Sequence, residues 1–249
     1  MRRISAYFIS LLLFLSGSCL EAQDTVLFPL KIRAGVDIAG PGLYLTDKNN
    51  LSLEGYISYD RNEKMSYVVE AGYLNYKYSQ YNYDYLSKGI FGRIGVDFNL
   101  LKPEVSLGKY WAGIGLRYGL SVFSSETPAF QHENYWGIKT SSIPSKTSTG
   151  HFIEVAPGIR TNVSKHLSMG WTIRLKLLIS GGGGKDLRPI YLPGYGNGGN
   201  KTAAGFSYFI TWNIPYKIKT VITRPEVPEE TEDSEEENNT GTQQSLSFR

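Results

Sequence analysis

The chain has one cysteine, Cys19, in 249 residues, so no internal disulfide is possible and packing and hydrogen bonding must hold the fold. It has three histidines, and no cysteine, histidine or acidic cluster has metal-site spacing. The formal net charge of +3 is too small to argue for nucleic acid as a partner. Beyond the N-terminal leader no segment carries the about 18 consecutive apolar residues that a membrane-crossing helix needs. Two classes remain: a soluble periplasmic or secreted β protein, or an outer-membrane barrel. What the chain does have is aromatic residues at 13%, including 18 Tyr, and 27 Gly, a composition that suits an all-β protein with many turns.

Residues 1–22 read as a secretory signal. Arg2 and Arg3 form a positive start, Ile9 to Leu15 an apolar segment, and Ser16, Gly17, Ser18 and Ala22 are small residues near the cleavage point. Cleavage after Ala22 is expected. The rival is a lipoprotein signal with Cys19 lipidated, although Ser16 stands where an apolar residue is expected.

From there the chain alternates with period two, the signature of a strand with one apolar and one polar face. In Leu30 to Ala39, the residues Leu30, Ile32, Ala34, Val36 and Ile38 oppose Lys31, Arg33, Gly35 and Asp37. The pattern recurs at Leu51–Asp60, Met65–Leu74, Gly89–Asn99, Tyr110–Phe123, His151–Asn162, Leu167–Ile179 and Ala203–Ile214, giving eight strands. The third is weaker, because Val68 and Leu74 break the alternation. Each is about ten residues or more, the length of a membrane-crossing strand rather than of a strand in a soluble domain.

Connections alternate in length. Arg61–Lys64, Leu100–Lys109 and Val163–His166 are short; Gly40–Asn50, Asn75–Lys88, Ser124–Gly150 and Ser180–Thr202 are long. Outer-membrane barrels have short periplasmic turns and long external loops, so both chain ends are expected in the periplasm. Tyr59, Tyr67, Phe98, Tyr110, Trp171 and Trp212 fall on the apolar face near the periplasmic strand ends, as an aromatic girdle requires; Tyr73, Tyr118 and Phe206 are candidates for the upper one. The expected fold is an all-β, eight-stranded antiparallel up-and-down transmembrane barrel over residues 23–216. A ten-stranded barrel is the alternative if Leu43–Thr46 or the fourth loop adds a hairpin. Residues 217–249, with eight acidic residues between Glu226 and Glu237, read as a disordered acidic tail in the periplasm.

The polar row carries Lys31, Arg33, Arg93, Arg117, Arg160, Arg174 and Lys176 against Asp37, Glu54, Asp60, Glu70, Asp97 and Glu154. An eight-stranded barrel encloses just enough room for side chains, so these charges should pair and close the lumen. A narrow ion or proton path is the other reading. Gly113, Gly115 and Gly119 make room for bulky neighbours such as Arg.

Chemistry is hard to place. His151 with Glu154 and Ser121 or Ser124 could imitate a Ser-His-acid set, but a lone histidine at a strand end is more often an interface residue. Gly181–Lys185 lacks the spacing of a phosphate loop, and Gly194–Gly199 is no dinucleotide fingerprint; both read as parts of one flexible loop, and no cofactor is expected. The second external loop crowds Tyr76, Tyr78, Tyr81, Tyr83 and Tyr85, and the third holds Phe130, Tyr135 and Trp136. Such residues supply interface hot spots for other envelope proteins; otherwise they pack among the loops and against lipopolysaccharide.

LFPLKIRAGVDIAGP at Leu27–Pro41 and HFIEVAPGIRTNVSKHLSMGWTIRLKLLI at His151–Ile179 carry a resemblance. The mature chain resembles the outer-membrane β-barrel proteins of unknown function common in Bacteroidota. That resemblance implies an outer-membrane location, no known catalytic residues and a role as an accessory subunit of an envelope complex such as the barrel-assembly machinery. The expected function is a non-enzymatic scaffold. A surface adhesin or ligand-binding barrel and a lipid-modifying enzyme are the alternatives.

Overall fold

The structure, a computed structural model, describes residues 25–182 and 189–222. The expected signal segment, Cys19, Gly183–Lys185 and the acidic stretch from Glu226 to Glu237 lie outside the described residues. One compact unit spans Thr25–Val221.

Its strands are β1 (Thr25–Asp37), β2 (Asn50–Asp60), β3 (Met65–Gln80), β4 (Tyr83–Asn99), β5 (Tyr110–Asn134), β6 (Gly137–Asn162), β7 (Leu167–Ser180), the short β8 (Tyr191–Leu192) and β9 (Gly196–Asn197), and β10 (Thr202–Ile222). Eight of them close a barrel in the order β1-β10-β7-β6-β5-β4-β3-β2, and the neighbours from β10 through β7 round to β2 and β1 pair antiparallel. Closure removes the free sheet edges that would otherwise seek partners. The fourth connection does add a hairpin, β8–β9, but it is a separate two-stranded sheet. Leu43–Thr46 belongs to a helix, α1 (Ala39–Thr46), so neither segment extends the barrel to ten strands. A short helical turn, α2 (Pro103–Ser106), lies between β4 and β5. We call the end with the turns Arg61–Lys64 and Val163–His166 the base, and the opposite end the rim.

The burial pattern runs inside out relative to a soluble protein. The outward row is apolar and open: Ile94, Leu116, Ile173 and Leu175 are 62%, 47%, 44% and 53% exposed. The inward row holds the charges, and Lys31, Arg33, Asp37, Asp60, Glu70, Arg93, Asp97, Arg117, Glu154 and Arg174 are buried. Tyr59, Tyr67, Phe98, Tyr110 and Trp212 stand exposed on the outside toward the base. Trp171 stacks on Phe206, with ring centroids 6.4 Å apart. No helix among the described residues is long and apolar enough to cross a membrane.

Three expectations need correction. Val68 and Leu74 do not disturb β3; both point inward and are buried, Val68 against Tyr56 and Phe209. Leu30, expected on the outer row, is buried with Phe28 near the base, where the turn carrying Gly108 packs on the Pro29 ring. Residues 217–222 are not tail but the end of β10, and Lys219 Nζ reaches Glu63 Oε2 at 2.7 Å.

The second and third long connections are also mostly strand. β3 and β4 stay paired up to Gln80 and Tyr83, and β5 and β6 up to Asn134 and Gly137. The β5–β6 hairpin is the tallest element. β6 is in register with β7 only from His151 onward, so Gly137–Gly150 overhang by roughly 45 Å of extended chain, taking about 3.3 Å per residue. Apolar alternation fades there because Ser, Thr and Tyr occupy both faces, while the backbone ladder and β propensity continue.

Candidate functional site

Three features are candidates for function: the charged lumen, the hairpin that closes it, and the tall β5–β6 hairpin. The lumen follows from register. Glu70 of β3 faces Arg93 of β4, Arg117 of β5 faces Glu154 of β6, and Glu154 faces Lys176 of β7, so opposite charges sit across these three strand pairs. The side chains then knit across the lumen. Glu70 accepts from Arg117 Nε at 2.9 Å and from Arg174 Nη1 at 2.8 Å, and lies 3.2 Å from Arg93 Nε. Glu154 accepts from Arg93 Nη1 at 2.9 Å and from Arg174 Nη1 at 3.1 Å. Glu54 accepts from Arg174 Nη2 at 2.7 Å and also from Arg93. Asp97 pairs with Arg117 Nη2 at 3.0 Å. Arg93, Arg117 and Arg174 thus each meet opposite charge within 3.2 Å, the condition under which burial is tolerated.

Gly115 is what lets Arg117 lie flat, since a Cβ there would sit 2.0 Å from Nη1 of Arg117 and 2.5 Å from Asp97 Oδ1. At Gly119 the bulky neighbour is the Phe152 ring rather than an arginine, and a Cβ there would meet that ring at 2.3 Å. Of the remaining predicted interior charges, Arg33 pairs with Asp60 near the base, Lys31 Nζ donates to the Gly108 carbonyl at 2.7 Å, and Arg160 donates to the Tyr56 hydroxyl at 2.8 Å. Asp37 accepts from the backbone N–H of Ala39 at 3.0 Å and of Tyr208 at 2.9 Å. Toward the rim, Lys176 Nζ donates to the carbonyls of Gly194 and Tyr195 at 2.8 and 3.2 Å.

That last contact ties the lumen to a lid missed by the sequence reading. The segment taken as part of a loose loop folds back into the mouth. Leu192 and Tyr195 are buried in one cluster with Phe123 and Phe152. Leu192-Pro193-Gly194-Tyr195 makes a turn in which Tyr195 N–H donates to the Leu192 carbonyl at 3.2 Å. Proline at the second position and a glycine at φ 72° at the third suit a type II turn, and a side chain at Gly194 would strike the Phe91 ring. The Tyr85 hydroxyl accepts from Ile190 N–H at 3.1 Å and Tyr191 N–H at 3.4 Å, and Tyr76 stacks on Tyr191 at 4.2 Å. Burial pushes the Tyr85 and Tyr191 hydroxyls above their ordinary pKa, so both stay protonated at neutral pH. The sequence signal was present: Tyr191, Leu192 and Tyr195 are unusually apolar for a solvent-exposed loop.

The aromatic residues proposed as contact points therefore divide. Tyr85 is fully buried and Tyr76 packs on the lid. Tyr83 and Tyr78 stack within the β3–β4 hairpin, on Tyr85 and Tyr76. Phe130 lies beside His132 at 5.9 Å. Tyr81, Tyr135 and Trp136 are 101%, 93% and 89% exposed, and Ile138 joins the last two at 71%. The possible triad does not assemble. His151 Nδ1 meets the Tyr118 hydroxyl at 2.7 Å on the outer face, whereas Glu154 is held inside by Arg93 and Arg174. Ser121 Oγ is buried, and Ser124 Oγ meets Ser145 Oγ at 2.5 Å.

Among solved structures, the chain is similar to Ail, the attachment invasion locus protein of Yersinia pestis, at 10% identity and a TM-score of 0.36, covering 77% of this chain and 97% of that one. It is also similar to Neisserial surface protein A, NspA, at 12% identity and a TM-score of 0.33, covering 78% of this chain and 100% of that one. No curated protein matches it in sequence. Over residues 3–219 the sequence matches the family model described as a domain of unknown function, DUF6048, and the chain belongs to that family.

Proposed function

We propose that the protein is an integral barrel of a Gram-negative outer membrane that acts without chemistry of its own, as a scaffold or accessory subunit recruiting another envelope protein through its tall hairpin. The membrane part rests on the inverted burial. An outward apolar row of this extent is unfavourable in water and matches what hydrocarbon requires, while the inward charges neutralise one another. Both ends of the chain then face the periplasm, since both leave the base, and the β5–β6 hairpin stands outside the cell.

The observation that carries the recruiting role is the hairpin tip. Tyr135 and Trp136 pack edge to face, 5.2 Å apart, at the turn of an overhang that nothing in the barrel wall requires, with Ile138 exposed beside them. Aromatic pairs at an accessible turn are the side chains that anchor interfaces. The lumen offers no comparable surface, because salt bridges fill it and the β8–β9 lid covers its rim.

The test is affinity isolation from cells in mild detergent, comparing the wild type with a Tyr135→Ala, Trp136→Ala double variant. A stoichiometric envelope partner is expected with the wild type. The double variant should lose it while still migrating as a folded, heat-modifiable barrel. Recovery of the same partner by both proteins would overturn the reading, and so would recovery of none.

A further inference from the structure

We infer that a small cavity at the base of the barrel binds one monovalent anion of about chloride size, between Arg33, Trp111 and Arg160. The cavity measures about 20 Å³, enough for a single water-sized group. All three side chains line it. Arg33 Nε, Trp111 Nε1 and Arg160 Nη2 are buried donors with no protein acceptor. Buried donors are almost always paired, so three unpaired donors around one small space call for an acceptor.

Most of the acceptors that line the same space are already engaged. Asp60 takes both outer nitrogens of Arg33, the Ser66 hydroxyl at 2.7 Å and the Lys31 N–H at 3.0 Å. Glu63 is held by Lys219. Asn62 Oδ1 accepts from Lys64 and Met65 N–H, Asn99 Oδ1 from Leu101 N–H, and Asn162 Oδ1 from Ser168 Oγ. The Gly108 carbonyl accepts from both Lys31 and Asn162. A water in the cavity would bring two protons of its own to a place where these acceptors are taken. An anion brings only what the site lacks.

Charge points the same way. Higher in the lumen, Arg93, Arg117, Arg174 and Lys176 are matched by Glu54, Glu70, Asp97 and Glu154. Near the base Arg33 and Asp60 cancel, which leaves Arg160 with a neutral phenol and the face of Trp111, 5.0 Å from its guanidinium carbon. Asp60 and Asp97 are engaged by Arg33 and Arg117, so a guanidinium with a buried donor and neutral direct contacts is costly, and a bound anion offsets that cost.

The experiment uses the detergent-solubilised full barrel. In crystals soaked in bromide, an anomalous peak is expected within hydrogen-bonding distance of Trp111 Nε1 and Arg160 Nη2. In solution, chloride is exchanged for gluconate at constant ionic strength. Above the dissociation constant, each tenfold rise in chloride should raise the thermal midpoint by about 3–6 °C. Trp111→Phe keeps the ring beneath Arg160 and removes only the N–H, so it preserves the packing; its peak and its chloride response should both weaken. Absence of the peak in the wild type would overturn the inference. A midpoint indifferent to chloride, or a Trp111→Phe variant that matches the wild type in both readouts, would do the same.

Discussion

If the lumen is a dry, mutually neutralised salt-bridge lattice, Glu70 is where it can be struck. Glu70 is 1% exposed and serves three arginines: Arg117 at 2.9 Å, Arg174 at 2.8 Å and Arg93 at 3.2 Å. Glu70→Gln keeps the shape and one acceptor oxygen but removes the charge. Around it remain three guanidinium groups with Glu54, Glu154 and Asp97 as counter-charges, and Arg117 keeps only Asp97 at 3.0 Å. Breaking a buried pair by removing one partner costs about 3–5 kcal/mol, because the other charge stays buried without compensation. The expected loss is therefore about 3 kcal/mol, the lower end, since the amide oxygen retains one hydrogen bond. Adding Arg117→Met together with Asp97→Asn to Glu70→Gln should recover much of the loss, because the uncompensated cation goes and its other partner, Asp97, is not left as a buried anion. Urea titration of the refolded barrel in lipid vesicles, followed by heat-modifiable migration, measures both variants against the wild type. A loss under about 1 kcal/mol, the range of exposed pairs, would refute the argument by showing a lumen wet enough to screen its charges.

Three further perturbations test other levels of the structure. Leu175→Arg, on the outward row, should cost about 2–4 kcal/mol in vesicles if it faces the hydrocarbon midplane, whereas Ile218→Arg, on the stretch of β10 beyond β7, should cost about 0–1 kcal/mol; equal effects would mean that the two positions do not differ in depth. Tyr85→Phe removes the acceptor for two N–H groups of the lid, so amide exchange at Ile190 and Tyr191 should quicken with little change in global stability; unchanged exchange would show that Leu192 and Tyr195 hold the lid alone. Burial pushes Glu63 up, but its hydrogen bond with Lys219 and the nearby cationic charge outweigh that, so its pKa lies below the usual carboxylate range. A depressed carboxyl stabilises the folded state above its unfolded pKa and loses that contribution as pH falls through the folded one. Amide protection factors at the end of β10, corrected for the intrinsic pH dependence of exchange, should therefore fall in acid, and Lys219→Ala should abolish the dependence.

The eight strands and their two faces were legible because one physical rule, alternation across a pleat between hydrocarbon and a polar lumen, repeats in every one of them. The rule fails where its cause stops. Above His151 the strands leave the apolar band, so Ser125 and Thr127 line the inward row of β5 while Ser124 and Glu126 take the outward one, no apolar row marks either face, and continuous strand reads as loop. The lid was illegible for a different reason. Its anchors are long-range, Tyr85 to Ile190 across 105 positions and Lys176 to Gly194 across 18, and no local pattern announces which apolar loop residue will be swallowed by a barrel. The charge list could be read, but its wiring could not, because one carboxylate can be shared by three arginines only when five strands curve round to face it.

Closure of the lumen bears directly on where function can reside. A transport route would need displacement of the Arg93–Glu154–Arg174 lattice and of the Leu192–Tyr195 plug together, although each is held by its own contacts. The barrel wall itself needs no strand taller than its neighbours, and a two-stranded ribbon standing in water is only marginally stable. β4 backs β5 as far as Phe130, so only the last stretch, Gln131–Thr140, is such a ribbon, and it ends in two exposed aromatic rings and an isoleucine. Ordering that tip against its backbone entropy is costly, and a docked partner would offset the cost. Stability of the overhang should therefore rise on capture of a partner, while the barrel beneath, already closed and neutralised, should be indifferent to it.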